Sequence, residues 1–199
     1  MPVMSSSEGA FCRSAPWRFA ARKVVLPWTL MRSELSGSVL ELGSGSGAMA
    51  AEILDRFPAV ELTATDLDPK MLERAGKVLE RFGPRASVRE ADATALPFED
   101  EGFDAVVSYL MLHHVGAWER ALGEAARVLR PGGLLLVADF LDNRVLRASE
   151  RLAGSEVRPI PRAELSTVLA GLPLTRVETK PVGNALVRFR ALKAQPTLA

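Results

Sequence analysis

Three glycines at alternate positions, Gly43, Gly45 and Gly47, follow the apolar run Val39-Leu40-Glu41-Leu42, with Ser44 between the first two. A helix-forming run over 48–57 comes next. That order reads as a buried strand, a tight turn and a helix N-terminus, with no Cβ where the backbone would approach a ligand. Gly43, Gly45 and Ala48 also satisfy the dinucleotide fingerprint in its Ala-ending form. The acids around the loop separate the two possibilities.

Asp66 stands at the end of the next strand-like run, 19 residues beyond Gly47. A carboxylate there can accept from both hydroxyls of a ribose. Asp92 follows the third such run, where it could receive an adenine amino group, and Leu67 and Ala93 could sandwich the flat base. Glu41 lies two residues before the first glycine. Negative charge there would not help a pyrophosphate but would favour a ligand carrying an ammonium group. Adenosine joined to a cationic amino-acid tail is S-adenosylmethionine.

The elements that must position these groups alternate. Strands are expected at 39–42, 60–65, 86–91, 103–109 and 134–140. Helices are expected at 48–57, 69–82 and 117–129, the second N-capped by Asp68 with Pro69 in its first turn. Pro131-Gly132-Gly133 reads as the turn that closes the third helix. Beyond Asp142 come a basic helical stretch to about residue 151 and a helix at 162–169. Two closing strands, 174–180 and 185–192, are joined by a link short enough for an antiparallel pair. Such alternation gives an open parallel α/β sheet with ligands at the carboxyl ends of its strands.

The 199 residues, 48% of them hydrophobic, suffice for one well-cored domain. We expect a helical lid segment at 1–35 and a single domain over 36–199. One cysteine, Cys12, rules out an internal disulfide and fits a reducing compartment. No apolar run reaches membrane-span length and no signal peptide is evident, so a cytoplasmic location is expected. Residues 36–143 carry ten basic and eighteen acidic side chains, whereas the flanks are basic, with five and two over 1–35 and ten and four over 144–199. An acidic ligand-binding half argues against a nucleic-acid footprint.

The segments VLELGSGSGAMA (39–50), ATDLDPKML (64–72), EADATALPFEDEGFDAVVS (90–108), LHHV (112–115) and RVLRPGGLLLV (127–137) resemble class I S-adenosylmethionine-dependent methyltransferases. Within that superfamily they are similar to the small-molecule branch that includes the ubiquinone/menaquinone-type enzymes. The resemblance implies a Rossmann-like, doubly wound seven-stranded sheet of order 3-2-1-4-5-7-6 with the seventh strand antiparallel. It implies that Glu41 and the loop of Gly43, Ser44, Gly45 and Gly47 hold the methionine part, and that Asp66 takes the ribose diol. Asp92 and Ala93 would take the adenine, and the Ser108 carbonyl the ammonium.

Methyl transfer from a sulfonium is an in-line displacement that needs alignment and exclusion of water. A base is needed only when the acceptor must lose a proton. Tyr109, His113 and His114, with Asp139 and Asp142 after the fifth strand, stand near the expected methyl; spacing alone selects none of them. The fourth strand runs into Ser108-Tyr109-Leu110-Met111, not the Asn/Asp-Pro-Pro-aromatic motif of nucleic-acid amine methylation, and Phe11-Cys12 is not the Pro-Cys of cytosine enzymes. Asp142-Asn143 resembles part of a metal-dependent catechol methyltransferase site, but its fourth-strand Asp partner is missing, so no metal is expected. A small or lipid-like acceptor follows.

Two rivals stay open. A nicotinamide-dependent reductase would need Tyr-x-x-x-Lys, and Tyr109 has His113 at that spacing. A non-catalytic S-adenosylmethionine-binding partner subunit would keep the same loop. Near the N-terminus, Arg13, Trp17, Arg18, Phe19, Arg22, Lys23 and Trp28 interleave charge with aromatic surface. They suit a lid over the acceptor or, as in phospholipid N-methyltransferases, a peripheral contact with anionic lipid.

Overall fold

The computed structural model describes Phe19, residues 21–144, Arg147 and residues 159–196. The expected basic helical stretch over 144–151 lies almost wholly outside these residues, as does most of the segment ahead of Ala21.

A π-helical turn, Ala21–Val25, leads into the short helix α1 (Leu26–Leu30). There follow β1 (Gly37–Leu42), α2 (Ala48–Arg56), β2 (Val60–Asp66), α3 (Pro69–Leu79), β3 (Ala86–Glu90) and β4 (Phe103–Tyr109). The chain continues through α4 (Trp118–Val128), β5 (Leu129–Phe140), α5 (Arg162–Gly171), β6 (Leu174–Val182) and β7 (Leu186–Lys193). The strands form one sheet of order β3-β2-β1-β4-β5-β7-β6. The first five are parallel, and β7 runs antiparallel to β5 and β6, as expected from the resemblance.

Strand alternation divides the core between two faces. Leu40, Val106, Leu135 and Val137 pack with α4 and α5 residues such as Trp118, Leu122 and Leu165. Val39, Val107 and Leu136 pack with Ile53 and Leu54 of α2, Ala75 and Leu79 of α3, and Leu26 and Leu30 of α1. The 3.6-residue period explains α4: Trp118, Ala121, Leu122, Ala125 and Val128 are all buried. Each of its larger apolar side chains contributes about 1.5–3 kcal/mol by burial.

Two boundaries differ from the sequence reading. Helix α3, capped as expected by Asp68 accepting from the Lys70 amide at 2.8 Å, ends at Leu79 and not at 82. A 3-10 turn over Glu80–Arg85 follows, with Gly83 at φ 57° and Pro84, neither of which continues an α-helix. The Pro131-Gly132-Gly133 segment belongs to β5, which starts at Leu129. It forms an irregularity there, because Phe103 pairs with Leu129 while Ala105 pairs with Leu134. Glycine is required at 133, where a Cβ would lie 2.8 Å from the Arg130 carbonyl oxygen.

Helix α1 is tied to the far side of the sheet. The Arg188 guanidinium on β7 donates to the Trp28 carbonyl and lies 4.8 Å from the centre of its ring. With Leu26 wholly buried and Leu30 2% exposed, residues 26–30 are part of the same core as β1 and β4.

Candidate functional site

Alternation along β1 puts Glu41 on the α2 face with Val39, although it is only 2% exposed. Burial raises its pKa to about 8, the negative Asp66 nearby adds to the rise, and the Ala50 amide partly opposes it. Among the described residues its Oε2 has no hydrogen-bond partner, nor have Ser44 Oγ, Ser108 Oγ or the Tyr109 hydroxyl, all buried. Ser108 lies in register with Leu42, and Tyr109 is the next residue on β4, so at the carboxyl ends of β1 and β4 Tyr109 shares the face of Glu41 while Ser108 lies on the α4 face. The phenol is held well above its usual acidity range by burial and then by the charge of Glu41. Strand order reverses between these two strands, which is where an open α/β sheet binds its ligand. Buried polar atoms without partners at that point call for polar groups from outside the chain.

The glycine loop fits a close approach. Gly43 has φ 65°, and a Cβ on it would fall 2.0 Å from Met111 Cγ. Gly47, at φ 78°, caps α2, and a Cβ on it would lie 3.0 Å from Ala75 Cα. The Ser44 amide donates to the Thr65 carbonyl at 2.8 Å. Asp66 Oδ2 accepts from the Gly45 amide at 2.8 Å and Oδ1 from the Asp68 amide at 2.9 Å. Asp66 therefore braces the loop as well as standing at the β2 end, and each oxygen keeps a lone pair for a further donor. Burial pushes its pKa up, and the Asp68, Gly45 and Leu67 amides work against that rise.

Asp92 is half-buried, and its Oδ1 accepts from both the Thr94 amide at 2.8 Å and the Thr94 hydroxyl at 2.7 Å. Partial desolvation is outweighed by these bonds, leaving its pKa below the ordinary value. Thr94 was not singled out from sequence, although Asp-x-Thr is the signature of a side chain turning back on its own backbone. The Ala91 amide donates to the Asp66 carbonyl at 3.1 Å, which brings the two acid-bearing turns side by side. Ala93 is buried and Leu67 half-buried. Arg127 on α4 holds the following loop, donating to the Leu96 and Phe98 carbonyls at 3.0 and 2.8 Å while paired with Glu124.

His113 and His114 sit on a 3-10 turn, Leu112–His114, directly after β4. His113 Nδ1 lies 2.6 Å from Asp139 Oδ1, the two side chains 6% and 0% exposed. The sequence named both residues but not their pairing. One signal was available: Asp139 continues the buried alternation of Leu135 and Val137 and so needs polar partners. The His114 ring lies against that of His113, 4.0 Å between ring centres and tilted by 40°. Asp142 is paired instead with Arg147. Among the described residues no three His, Cys, Asp or Glu side chains form a group that could hold a metal ion.

This sheet order, with its glycine loop after β1, an acid near the end of each of β1 and β2 and one after β3, is that of the class I S-adenosylmethionine-dependent methyltransferase fold. Residues 39–133, just under half of the chain, match the methyltransferase domain family Methyltransf_25. Over 102 residues it is 41% identical to demethylmenaquinone methyltransferase of Thermus thermophilus, covering 51% of this chain and 46% of that one. Over 130 residues it is 37% identical to malonyl-[acyl-carrier protein] O-methyltransferase of Geobacter sulfurreducens, covering 62% and 46%. The chain thus spans about half the length of the curated relatives it matches. A solved Haemonchus contortus phosphoethanolamine N-methyltransferase, complexed with S-adenosylhomocysteine, shares the fold at TM-score 0.73 and 14% identity, covering 86% of this chain and 52% of that one.

Proposed function

We propose that this protein transfers the methyl group of S-adenosylmethionine to a small or lipid-like organic acceptor. The observation that carries the reading is the pair Glu41 Oε2 and Tyr109 hydroxyl, buried on one sheet face without partners among the described residues, beside the glycine loop where strand order reverses. The two neighbouring acids, Glu41 and Asp66, suit an ammonium-bearing ligand and not a pyrophosphate, which argues against a nicotinamide cofactor. Glu41 and the Gly43–Gly47 loop would hold the amino-acid end, Ser108 its ammonium through the backbone carbonyl, Asp66 the ribose, and Asp92 with Leu67 and Ala93 the adenine. Bound there, the sulfonium supplies an already activated leaving group. The protein's part is to align the acceptor in line and keep water out. The quinone and acyl-carrier substrates in the relatives' names support the acceptor class.

A methyl-labelled cofactor offered with cell extract, then fractionated into lipid, small-molecule, RNA and protein pools, tests this. Label is expected in the lipid or small-molecule pool. Label mainly in RNA would refute the acceptor class, and label in no pool would favour the binding-subunit alternative.

One observation supports a second reading, methylation at an anionic lipid surface. Phe19 and Val24 are 66% and 61% exposed, beside exposed Lys23. The same residues suit a lid formed by residues 1–35, which we favour because Leu26 and Leu30 root the segment in the core. Sedimentation with anionic vesicles at low and high salt separates the two, since attraction to a basic segment is screened.

A further inference from the structure

We propose that His113, oriented by Asp139, is the general base of the reaction, and that the acceptor is therefore a hydroxyl or an acidic carbon such as a hydroquinone ring position. The proposal rests on the methyltransferase reading and adds to it the chemistry of the acceptor.

Asp139 is fully buried at the end of β5 and already well satisfied by backbone. Its Oδ2 accepts from the Met111 and Leu112 amides at 3.0 and 2.7 Å, and its Oδ1 from the Phe140 amide at 2.7 Å. These three donors leave one acceptor site on the carboxylate, and Oδ1 turns it to His113 Nδ1 at 2.6 Å, fixing the ring. A carboxylate acting as acceptor places the ring proton on Nδ1, so Nε2 keeps its lone pair. A nitrogen base with its ring aimed by a buried carboxylate is the arrangement that takes protons from hydroxyl groups in unrelated hydrolases. The edge of the Phe140 ring, 5.0 Å between centres and nearly perpendicular, fixes the other side of the imidazole.

The placement matches the reaction. The turn that carries His113 begins beside Met111, whose side chain fills the space a Cβ on Gly43 would need. The turn thus packs directly on the glycine loop. Asp139, alternating with Val137, and the Glu41–Tyr109 pair, alternating with Val39 and Val107, stand on opposite sheet faces. An acceptor entering from the α4 side would meet His113, while the amino-acid end of the donor meets Glu41.

In the step, the acceptor oxygen or carbon forms a bond to the methyl carbon as the carbon–sulfur bond breaks, its electron pair passing to sulfur. The acceptor proton passes to His113 Nε2 and from there to solvent. A neutral amine needs no such base before attack, so a placed base selects for O–H and acidic C–H acceptors.

The test uses the full chain with labelled cofactor and three probes: a naphthohydroquinone, catechol and ethanolamine. Label is expected on the hydroquinone or catechol and not on ethanolamine. His113→Gln should lower that turnover by on the order of 10²- to 10⁴-fold while S-adenosylhomocysteine binds as in wild type. Added imidazole should partly restore turnover to His113→Ala. Asp139→Asn should lower kcat with KM unmoved. Nitrogen-15 spectra of the S-adenosylhomocysteine complex should show the Nδ1–H tautomer at His113. Methylation of ethanolamine alone, no label on any probe from a wild type that binds the cofactor, wild-type turnover by His113→Gln, or an Nε2–H tautomer would each overturn the proposal. Failure of the wild type to bind the cofactor would instead sink the methyltransferase reading beneath it.

Discussion

Asp66→Ala is expected to weaken S-adenosylmethionine and S-adenosylhomocysteine by about 1.5–3 kcal/mol, the range for hydrogen bonds to a charged group. Two effects add in that figure. The ribose would lose its acceptor, and the Gly45 and Asp68 amides, now held at 2.8 and 2.9 Å by the carboxylate, would lose theirs. Asp66→Asn separates them, because its amide oxygen can still brace one backbone donor while the charge is gone. Calorimetry should give the asparagine variant the smaller loss. Unchanged affinity in a folded Asp66→Ala protein would remove Asp66 from the site.

The second large effect is a pH dependence centred on Glu41. In the folded, ligand-free protein burial keeps its carboxyl protonated up to about pH 8, against an ordinary value of 4.5. Between those values the folded state binds more protons than the unfolded one, so this group's contribution to stability falls as pH rises. Glu41→Gln removes that loss, on the order of a few kcal/mol. Its Tm should therefore gain on wild type as pH is raised from about 5 to about 8.

Binding reverses the preference, because an ammonium ligand favours the ionised carboxylate. Affinity in wild type should climb by up to roughly tenfold per pH unit below about pH 7, where an α-amino group keeps its charge. Close to one proton should be released per cofactor bound, read by calorimetry in buffers of different ionisation enthalpy. Glu41→Gln should bind weakly and without that slope. A flat pH profile in wild type would show that Glu41 does not meet the ammonium.

The strand–helix alternation and the acids at strand ends are legible because they depend on local signals, whereas the sheet order comes from the resemblance that those motifs carry. A glycine loop between an apolar run and a helix, an Asp at a strand end, and an Asp-Pro helix start each act within a few residues. The pairing of His113 with Asp139 spans 26 residues and needs two adjacent strands in register, which no local pattern encodes. The anchor of Trp28 on Arg188 spans 160 residues and escaped for the same reason. The early start of β5 was hidden by a strong helix-stop signal, Pro131-Gly132-Gly133. The pairing of Phe103 with Leu129 overrides it, with the glycines absorbing the irregularity.

The central claim is that the methyl donor seats where β1 and β4 end, between Glu41, the glycine loop and Asp66. A crystal structure of the full chain with S-adenosylhomocysteine tests it most directly. The ammonium is expected within direct or water-bridged reach of Glu41 and the Ser108 carbonyl. Both ribose hydroxyls are expected on Asp66, and the adenine beside Asp92 between Leu67 and Ala93. A ligand bound with its ribose away from Asp66, or with Glu41 Oε2 and the Tyr109 hydroxyl still unpartnered, would contradict it.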